Sequence, residues 1–381
     1  MRRIAFLDLI PWDYRVDTPE RRPLGGSQSA MCYLAAALAR RGHEVLFVTR
    51  TKEPGIVAGV ECISADSVGF ECFRGADLVV LLNSSDPEPA ISIRAVAPGV
   101  PLLALWTQHD PDNPSLAALA SVELRTLWDA VILCSDWQRR NYQRAFPPIA
   151  SHLHVLRNAI APAFARLFDD PPSILARKRR PARLCYTSTP YRGLSVLLDS
   201  FRQIRTEISG ARLAVYSSMG VYQVANDDDP FRELYDRCRQ QDGVDYMGSI
   251  PQPALADALK TALVFAYPCT FPETFCISAL EAMAAGCLLV VGDLGALRET
   301  TAPFAELVEI PTDQPDYAAR FAMRVTEILR LVDRDPVAVE FRLAEQVRHV
   351  NRTATWDVRA AEWSDWLETA LARKSSGATY A

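Results

Sequence analysis

The sequence lacks the motifs and long apolar runs that mark several large classes of protein. No G-x-G-x-x-G follows the first apolar run, where the chain reads Leu9-Ile10-Pro11-Trp12-Asp13, and this disfavours a nicotinamide-dependent oxidoreductase. No run approaches the roughly 18 residues that cross a bilayer. Arg2-Arg3 leads directly into a short run that Asp8 interrupts, so no secretory signal is recognisable. We therefore expect a cytoplasmic protein, with peripheral contact at the inner face of the membrane as an alternative.

The cysteine and charge content restricts the compartment and the partners that we expect for this protein. The nine cysteines include no C-x-x-C pair, and Cys134 and Cys185 lie inside apolar runs, as small buried hydrophobes in a reducing compartment do. The net charge of −5 disfavours nucleic acid as a partner, because a phosphate backbone selects basic surfaces. Asp227-Asp228-Asp229 offers a D-x-D spacing, but it lies in a polar stretch, and we interpret it as a solvated loop.

What the sequence does contain is a regular alternation of short apolar runs and helical stretches. Near-continuous apolar runs separated by helices indicate parallel strands covered on both faces. Since 381 residues exceed what one core usually serves, and since the runs form two sets, we predict an α/β protein with two Rossmann-like domains. The runs begin at Ile4, Val45, Leu78, Pro101, Ala130 and His154 in the first set, and at Arg183, Arg212, Val244, Leu263 and Leu288 in the second.

The end of the sixth run sets the expected domain boundary. We predict an N-terminal domain over 1–161 and a C-terminal domain over 162–345. The remaining residues, 346–381, are expected to form a C-terminal helix that packs back on the N-terminal domain, followed by a frayed tail. One face of this helix is aromatic and must be covered; it carries Trp356, Trp363, Trp366 and Leu367.

The strongest functional pattern lies in residues 271–286, directly after the run that begins at Leu263. Helical periodicity places Glu281 on an apolar stripe, and Glu273 lies eight positions earlier in the preceding loop. The N–H groups from Thr274 to Ile277 are expected at a helix N-terminus, which suits a phosphate. Two carboxylates that bracket an anion site suit a sugar nucleotide. The alternative is a helix cap at Glu273 and a structural ion pair at Glu281.

Glu273 and Glu281, followed by Ala282-Met283-Ala284-Ala285-Gly286, resemble the E-x7-E signature of retaining glycosyltransferases of family 4 (glycosyl transferases group 1), which have the GT-B fold. Further motifs match this family in the same order along the chain. They are Gly25-Gly26 with Arg41-Gly42-His43-Glu44-Val45, then Val155 to Ile160, Tyr191-Arg192-Gly193-Leu194, and Val244 to Gly248.

The resemblance implies a GT-B architecture, in which two Rossmann-like, doubly wound parallel-sheet domains face a central cleft. It implies catalytic roles for Glu273 and Arg192, and for His109 at the end of the run that begins at Pro101, although a lone histidine is often structural. The remaining candidates fall into two sets. Nucleotide-sugar contacts are expected from Gly25, Gly26, Ser188, Arg192, Gly248, Ile250, Glu273, Thr274, Phe275, Cys276, Ile277 and Glu281, and acceptor contacts from Asp13, Tyr14 and Arg15.

One departure from the family pattern concerns the diphosphate. The family usually has a second basic residue upstream of Arg192, where this chain reads Tyr186-Thr187-Ser188-Thr189. The hydroxyl group of Ser188 or Thr189 is the expected substitute. Arg192 stands in the position of the family's lysine and is suited to bidentate contact with a phosphate.

The implied activity is transfer of a sugar, with retention of configuration, from a nucleoside-diphosphate sugar to an acceptor hydroxyl. No metal and no cofactor are expected, and the acceptor is a glycan, a lipid or a small molecule. A basic aromatic helix around Trp137, Arg140 and Tyr142 allows membrane contact, with a solvated helix as the alternative. A catalytically inactive GT-B binding or scaffold protein and a GT-B sugar-nucleotide epimerase remain as rival functions.

Overall fold

The computed structural model describes residues 1–97, 102–147, 152–168, 172–178 and 181–376. The chain divides into two compact units. Unit 1 consists of Met1–Pro19, Gly26–Ala159 and Trp356–Ala381, and unit 2 of Glu20–Gly25 and Ile160–Thr355.

Unit 1 is built on an eight-stranded sheet with the order β3-β4-β2-β1-β5-β6-β7-β8. All neighbouring strands are parallel except β3 and β4. The strand order reverses between β1 and β5, so the crossover helices cover both faces. The strands are β1 (Arg3–Leu7), β2 (Glu44–Thr49), β3 (Gly55–Val57), β4 (Val60–Ser64), β5 (Leu78–Leu82), β6 (Leu102–Trp106), β7 (Ala130–Leu133) and β8 (Leu153–Val155).

The last helix of the chain belongs to unit 1. It packs on α2, and its Trp363 ring lies 6.4 Å from the ring of Phe6 and 5.1 Å from that of Trp106. All seven tryptophans of the chain fall in unit 1. The first five helices of the chain and the last one are α1 (Thr18–Arg21), α2 (Gly26–Arg40), α3 (Pro87–Val96), α4 (Val122–Arg125), α5 (Asp136–Ala145) and α13 (Trp356–Ser375).

Unit 2 is built on a six-stranded parallel sheet with the order β11-β10-β9-β12-β13-β14. Numbered from β9, this is the strand order 3-2-1-4-5-6 of a doubly wound nucleotide-binding fold. Its topological switch point lies between β9 and β12, where ligands of such sheets bind at the carboxyl ends of the strands. The strands are β9 (Arg183–Thr187), β10 (Arg212–Tyr216), β11 (Val244–Tyr246), β12 (Val264–Tyr267), β13 (Leu288–Gly292) and β14 (Ala305–Val308).

Helices alternate with these strands and continue beyond them. Helix α6 packs against α11, and α12 packs against α9. The helices of unit 2 are α6 (Leu194–Glu207), α7 (Arg232–Gln240), α8 (Gln252–Thr261), α9 (Ile277–Ala284), α10 (Leu297–Thr301), α11 (Gln314–Arg334) and α12 (Pro336–Thr353).

The two-domain α/β prediction is confirmed, and each of the predicted apolar runs overlaps a strand. Sequence patterning missed β3, which has only three residues, and β4 and β14, which mix apolar with polar residues. The chain leaves unit 2 at Thr355 and not near 345, because α12 continues to Thr353 and packs on α9.

Candidate functional site

An ion pair occupies the switch point of unit 2. Arg192, in the loop after β9, donates from Nη1 to both carboxylate oxygens of Glu273, which lies in the loop after β12, at 2.8 Å each. The Glu273 side chain is 6% exposed and that of Arg192 is 21% exposed. The structure thus brings together two of the three predicted catalytic residues, although 81 positions separate them along the chain.

Arg192 is held by its neighbours on both sides. Its guanidinium lies 4.6 Å from the centre of the Phe271 ring, and its Nη2 is 3.4 Å from the hydroxyl oxygen of Tyr191. Gly193 follows with φ of +106°, and a Cβ atom there would clash with the carbonyl oxygen of Pro268. Glycine therefore lets the loop after β9 approach the loop after β12, which places Arg192 beside Glu273.

Contacts fix both the side chain and the backbone of Glu273. The hydroxyl of Tyr267, the last residue of β12, donates to Glu273 Oε1 and lies 3.3 Å from Ser188 Oγ. The N–H of Ala296 donates to the Glu273 carbonyl at 2.7 Å, and a Cβ on Gly295 would clash with the Glu273 backbone. These contacts hold the carboxylate in one position. Tyr267 was not predicted as a site residue, because it reads as the aromatic end of a buried strand.

The segment that was expected at a helix N-terminus leads into helix α9. Thr274, Phe275 and Cys276 precede α9, which begins at Ile277. Cys276 caps the helix with φ of +73° and ψ of +76°, a conformation that is costly for a residue other than glycine. The Thr300 hydroxyl donates to the Phe275 carbonyl. Ile277, the first residue of α9, is half-buried.

Glu281 lies in the interior of α9 and is 4% exposed. Its Oε1 accepts a hydrogen bond from the Ala161 N–H at 3.2 Å. Burial raises the pKa of Glu281 to about 8, because desolvation disfavours the charged form and the single hydrogen bond offsets this only in part. A carboxyl group in this state can both donate to and accept from a pair of hydroxyls.

Two further residues of unit 2 that were predicted to contact the nucleotide sugar also lie at the carboxyl ends of the strands. Gly248 follows β11 with φ of +66°, and Ile250 follows two residues later; both are partly exposed. Between them, Ser249 Oγ lies 2.8 Å from Ser218 Oγ, in the loop after β10. Since β11 is the edge strand next to β10, these residues are farther along the sheet than the Arg192–Glu273 pair.

Several buried polar atoms near the switch point have no hydrogen-bond partner among the described residues. They include Arg192 Nε, Thr187 Oγ1 at the end of β9 and Ser217 Oγ directly after β10, and a fourth such atom is Thr189 Oγ1 in the loop after β9. Orphaned buried groups of this kind are rare in native structures and call for an explanation. A ligand rich in oxygen atoms at the carboxyl ends of β9 and β10 would provide one.

In unit 1 the predicted acceptor residues have structural partners. Tyr14 is fully buried, packs edge-on against Phe47, and donates to Asp8 Oδ2 at 2.8 Å, so its hydroxyl is occupied inside the core and the predicted acceptor contact is not supported. Asp13 accepts from the Lys52 N–H at 2.9 Å. Arg15 pairs with Asp17 at 2.8 Å.

Asp8, at the carboxyl end of β1, was noted in the sequence only as an interruption. It is 5% exposed and accepts from Tyr14 and from Gln28 Nε2, the latter at 3.0 Å. Burial raises the pKa of the Asp8 carboxyl, while these hydrogen bonds act in the opposite direction. Gly25 and Gly26, the two glycines predicted to contact the donor, lie at the start of α2. Gly25 precedes the helix and is buried, and Gly26 is its first residue and is exposed.

His109 follows β6, as predicted, and is partly exposed. Its Nδ1 lies 3.4 Å from Ser115 Oγ. Its carbonyl oxygen accepts from Gln138 Nε2 at 2.8 Å and from the Tyr142 hydroxyl at 3.0 Å. Because Tyr142 is fully buried, it supports the His109 loop and cannot contribute to a membrane-facing aromatic surface on α5.

Two further expectations concern metals and membranes. Among the residues that the structure describes, no group of three or more His, Cys, Asp or Glu side chains is arranged to hold a metal ion. Asp229 is not solvated as predicted but 6% exposed, and it accepts from the Met219 and Phe231 N–H groups at 3.1 and 2.9 Å. Over the described ranges, no helix has the length and apolar character needed to cross a membrane.

Comparison with known proteins bears on the fold and the family. Residues 186–329 match the family model described as glycosyl transferases group 1. The phosphatidyl-myo-inositol mannosyltransferase of Mycobacterium tuberculosis (strain ATCC 25618 / H37Rv) is 28% identical over 130 residues. That match spans 34% of this chain and only 32% of the relative.

Solved structures resemble nearly the whole chain. The glycosyltransferase from Rickettsia africae ESF-5 has a TM-score of 0.71 at 11% identity, covering 97% of this chain and 99% of that one. The Anabaena Alr3699/HepE protein in complex with UDP-glucose has a TM-score of 0.68 at 14% identity, covering 97% and 100%. At such identities the likeness shows the fold. This chain has the GT-B fold, and residues 186–329 of its second unit match the family model of the glycosyl transferases group 1.

Proposed function

We propose that this protein is a glycosyltransferase that moves a sugar from a nucleoside-diphosphate sugar to an acceptor hydroxyl. The pairing of Arg192 with Glu273 at the switch point of unit 2, inside the stretch that matches the family, carries the proposal. A guanidinium is suited to a diphosphate and a carboxylate to sugar hydroxyls. The two groups that the reaction needs next to the bond that breaks are therefore adjacent.

The diphosphate is proposed to bind Arg192 and the hydroxyls nearby. Arg192 uses Nη1 on Glu273 and has an orphaned Nε, so the guanidinium retains donors for a phosphate. Among the described residues, the nearby hydroxyls without partners are Thr187 Oγ1, Thr189 Oγ1 and Ser217 Oγ. We propose that they supply the hydrogen bonds for which the family uses a second basic residue. Ser188, one of the two substitutes predicted earlier, lies within hydrogen-bonding distance of Tyr267.

The two carboxyl groups are proposed to hold the two sugars of the donor. Glu273 would accept hydrogen bonds from hydroxyls of the transferred sugar, and the buried Glu281 would bind the ribose hydroxyls. The backbone around Gly248 and Ile250 would contact the base. These roles follow the family resemblance, and the burial of both carboxyl groups supports them, because a buried carboxyl group requires a polar partner.

In the proposed reaction the bond between the anomeric carbon and the β-phosphate oxygen breaks, and a bond from the acceptor oxygen to the same carbon forms on the same face. The acceptor proton passes to the departing phosphate oxygen. Arg192 stabilises the negative charge that grows on this oxygen, so we propose that the reaction proceeds without a metal ion. Retention of configuration is proposed from the family resemblance alone. His109, Asp13 and Arg15 of unit 1 remain predictions for sugar and acceptor contacts.

The relatives suggest which substrates to test first. The Anabaena protein was solved with UDP-glucose, and the mycobacterial relative is named as a mannosyltransferase acting on phosphatidyl-myo-inositol. We therefore propose nucleotide-activated glucose and mannose as first donors. Glycans, lipids and small molecules are all to be tried as acceptors.

The test is a thermal-shift screen against UDP, GDP, ADP, TDP and their common sugars. A ligand that binds the native state raises the melting temperature by mass action. The parent should be stabilised by one nucleotide series, Glu281→Ala much less, and the surface control Glu207→Gln as much as the parent, because Glu207 is exposed and pairs with Arg330. If no nucleotide stabilises the folded parent, the transferase proposal is contradicted and the scaffold alternative is favoured.

A second measurement separates the enzyme from its rivals. An active transferase incubated with its donor and no acceptor should slowly release the free sugar and the nucleoside diphosphate. An inactive scaffold would release neither, and an epimerase would convert the nucleotide sugar into its epimer. Arg192→Ala should reduce the release by about 100-fold or more, because one charge-stabilising donor contributes on this scale.

A further inference from the structure

We propose that the Arg192–Glu273 pair makes the site select the nucleotide sugar over the nucleoside diphosphate that remains after transfer. This inference rests on the proposed function and adds a selectivity role to Glu273. It follows from the fact that the two groups expected to bind different parts of the donor are bonded to each other in this structure.

The carboxylate of Glu273 already has strong partners. Both of its oxygens accept from Arg192 Nη1, and Oε1 also accepts from the Tyr267 hydroxyl. Glu273 is 4% exposed, so little water can replace a lost partner. Breaking one side of a buried, charge-assisted pair is costly because the remaining charge is left uncompensated.

A bare nucleoside diphosphate that binds the remaining donors of Arg192 would share the cation with Glu273 and weaken the bond between the two side chains. Among the described residues, Tyr267 is the other side chain that donates to Glu273, and the diphosphate brings no donor that could compensate for the weakened contact with Arg192. A nucleotide sugar brings hydroxyls that can donate to the same carboxylate. The energetic penalty therefore falls on the product and not on the donor.

Glu273 cannot escape this penalty by moving away. Its backbone is enclosed by the loop after β13, where Gly295 leaves no space for a side chain and Ala296 bonds the Glu273 carbonyl. Tyr267 is fully buried and holds Oε1 from the sheet side. The carboxylate thus stays at one position, and the affinity for a ligand depends on whether its sugar hydroxyls donate to this carboxylate.

The test compares the dissociation constants of UDP with UDP-glucose, and of GDP with GDP-mannose, by isothermal titration calorimetry. The parent should bind the nucleotide sugar more tightly than the diphosphate. Glu273→Gln removes the charge that competes for Arg192, so the diphosphate should bind about tenfold more tightly, while the nucleotide sugar gains less or weakens. Tyr267→Phe, which loosens Glu273 without changing the charge, should shift the ratio of the two constants in the same direction but less.

Glu281→Gln is the matched control, because Glu281 is also buried in unit 2 but is proposed to contact the ribose that both ligands share. It should change both affinities by the same factor and leave their ratio unaltered. If Glu273→Gln also changes both affinities by one factor, the effect is general electrostatics and the inference is overturned while the transferase proposal stands. If neither pair of ligands binds the folded parent, the proposed function fails and the inference with it. Circular dichroism of each variant verifies that it is folded.

Discussion

Replacing Glu281 by glutamine should stabilise unit 2 at alkaline pH and leave its stability nearly unchanged in acid. Glutamine has the same shape and keeps an oxygen that can accept from the Ala161 N–H, so the packing of α9 is preserved. What the substitution removes is the ionisation of a carboxyl group that is 4% exposed. The prediction therefore isolates the free energy of charging a buried group.

The sign and size follow from the raised pKa. Burial lifts the pKa of Glu281 from its ordinary 4.5 to about 8. Between these values the native state holds a proton that the unfolded chain releases, so the free energy of unfolding of the parent falls as the pH rises. At roughly 1.4 kcal/mol per pH unit, the parent loses up to about 5 kcal/mol relative to the variant by pH 8.

The measurement is urea unfolding of both proteins at intervals from pH 5 to pH 9. Circular dichroism at 222 nm follows both units, whereas tryptophan fluorescence reports on unit 1, which contains all seven tryptophans. The difference between variant and parent should grow with pH in the dichroism transition of unit 2. Glu207→Gln, which neutralises an exposed carboxylate, should show no such growth.

A difference between Glu281→Gln and the parent that stays constant from pH 5 to pH 9 would refute the reasoning. It would mean that Glu281 ionises as readily in the native state as in the unfolded chain. A difference of the opposite sign would mean that a cation stabilises the carboxylate in solution.

Three further perturbations test the supports of the site. Cys276→Gly should be about 1 kcal/mol more stable than Cys276→Ala in thermal melts, because φ of +73° strains any residue with a Cβ; equal melting temperatures would contradict the strain. Lys178→Met should destabilise unit 2 by about 1–3 kcal/mol in urea, because the buried Lys178 Nζ donates to the carbonyls of Lys260 and Ala285 at the ends of α8 and α9; an unchanged midpoint would contradict this. Gly193→Ala should weaken nucleotide binding at least tenfold in calorimetry, because its Cβ would push the Arg192 loop away from Pro268; unaltered affinity in a folded variant would show that the loop can adapt.

The parts of this fold that the sequence predicts are those whose signal is local. Apolar runs such as the one from Leu288 are buried on both faces, so they read as strands without knowledge of their neighbours. Their order in the sheet is a non-local property, and it is this order that puts the ends of β9 and β12 side by side. Arg192 and Glu273 were each predicted from family motifs, but their direct bond was not.

Side-chain burial in loops was the least predictable feature. Tyr14 lies in a polar segment that suggested a ligand-facing loop, yet the buried Asp8 gives its hydroxyl a partner inside the core. Asp229 follows two exposed aspartates and reads like them, but it binds the backbone of its own loop. In both cases nearby hydrogen-bond partners, which the sequence pattern does not reveal, decide whether the polar side chain faces water.

Helix α13 has a consequence for the order in which the chain folds. Its Trp363 fills the space between Phe6 and Trp106, so the core of unit 1 is incomplete until the residues after 355 are present. During synthesis, the whole segment of unit 2 from Ile160 is made before α13. Until α13 is made, part of the apolar surface of unit 1 therefore stays exposed. A ribosome-bound chain halted before Trp356 should therefore hold a protease-resistant unit 2 and a protease-sensitive unit 1.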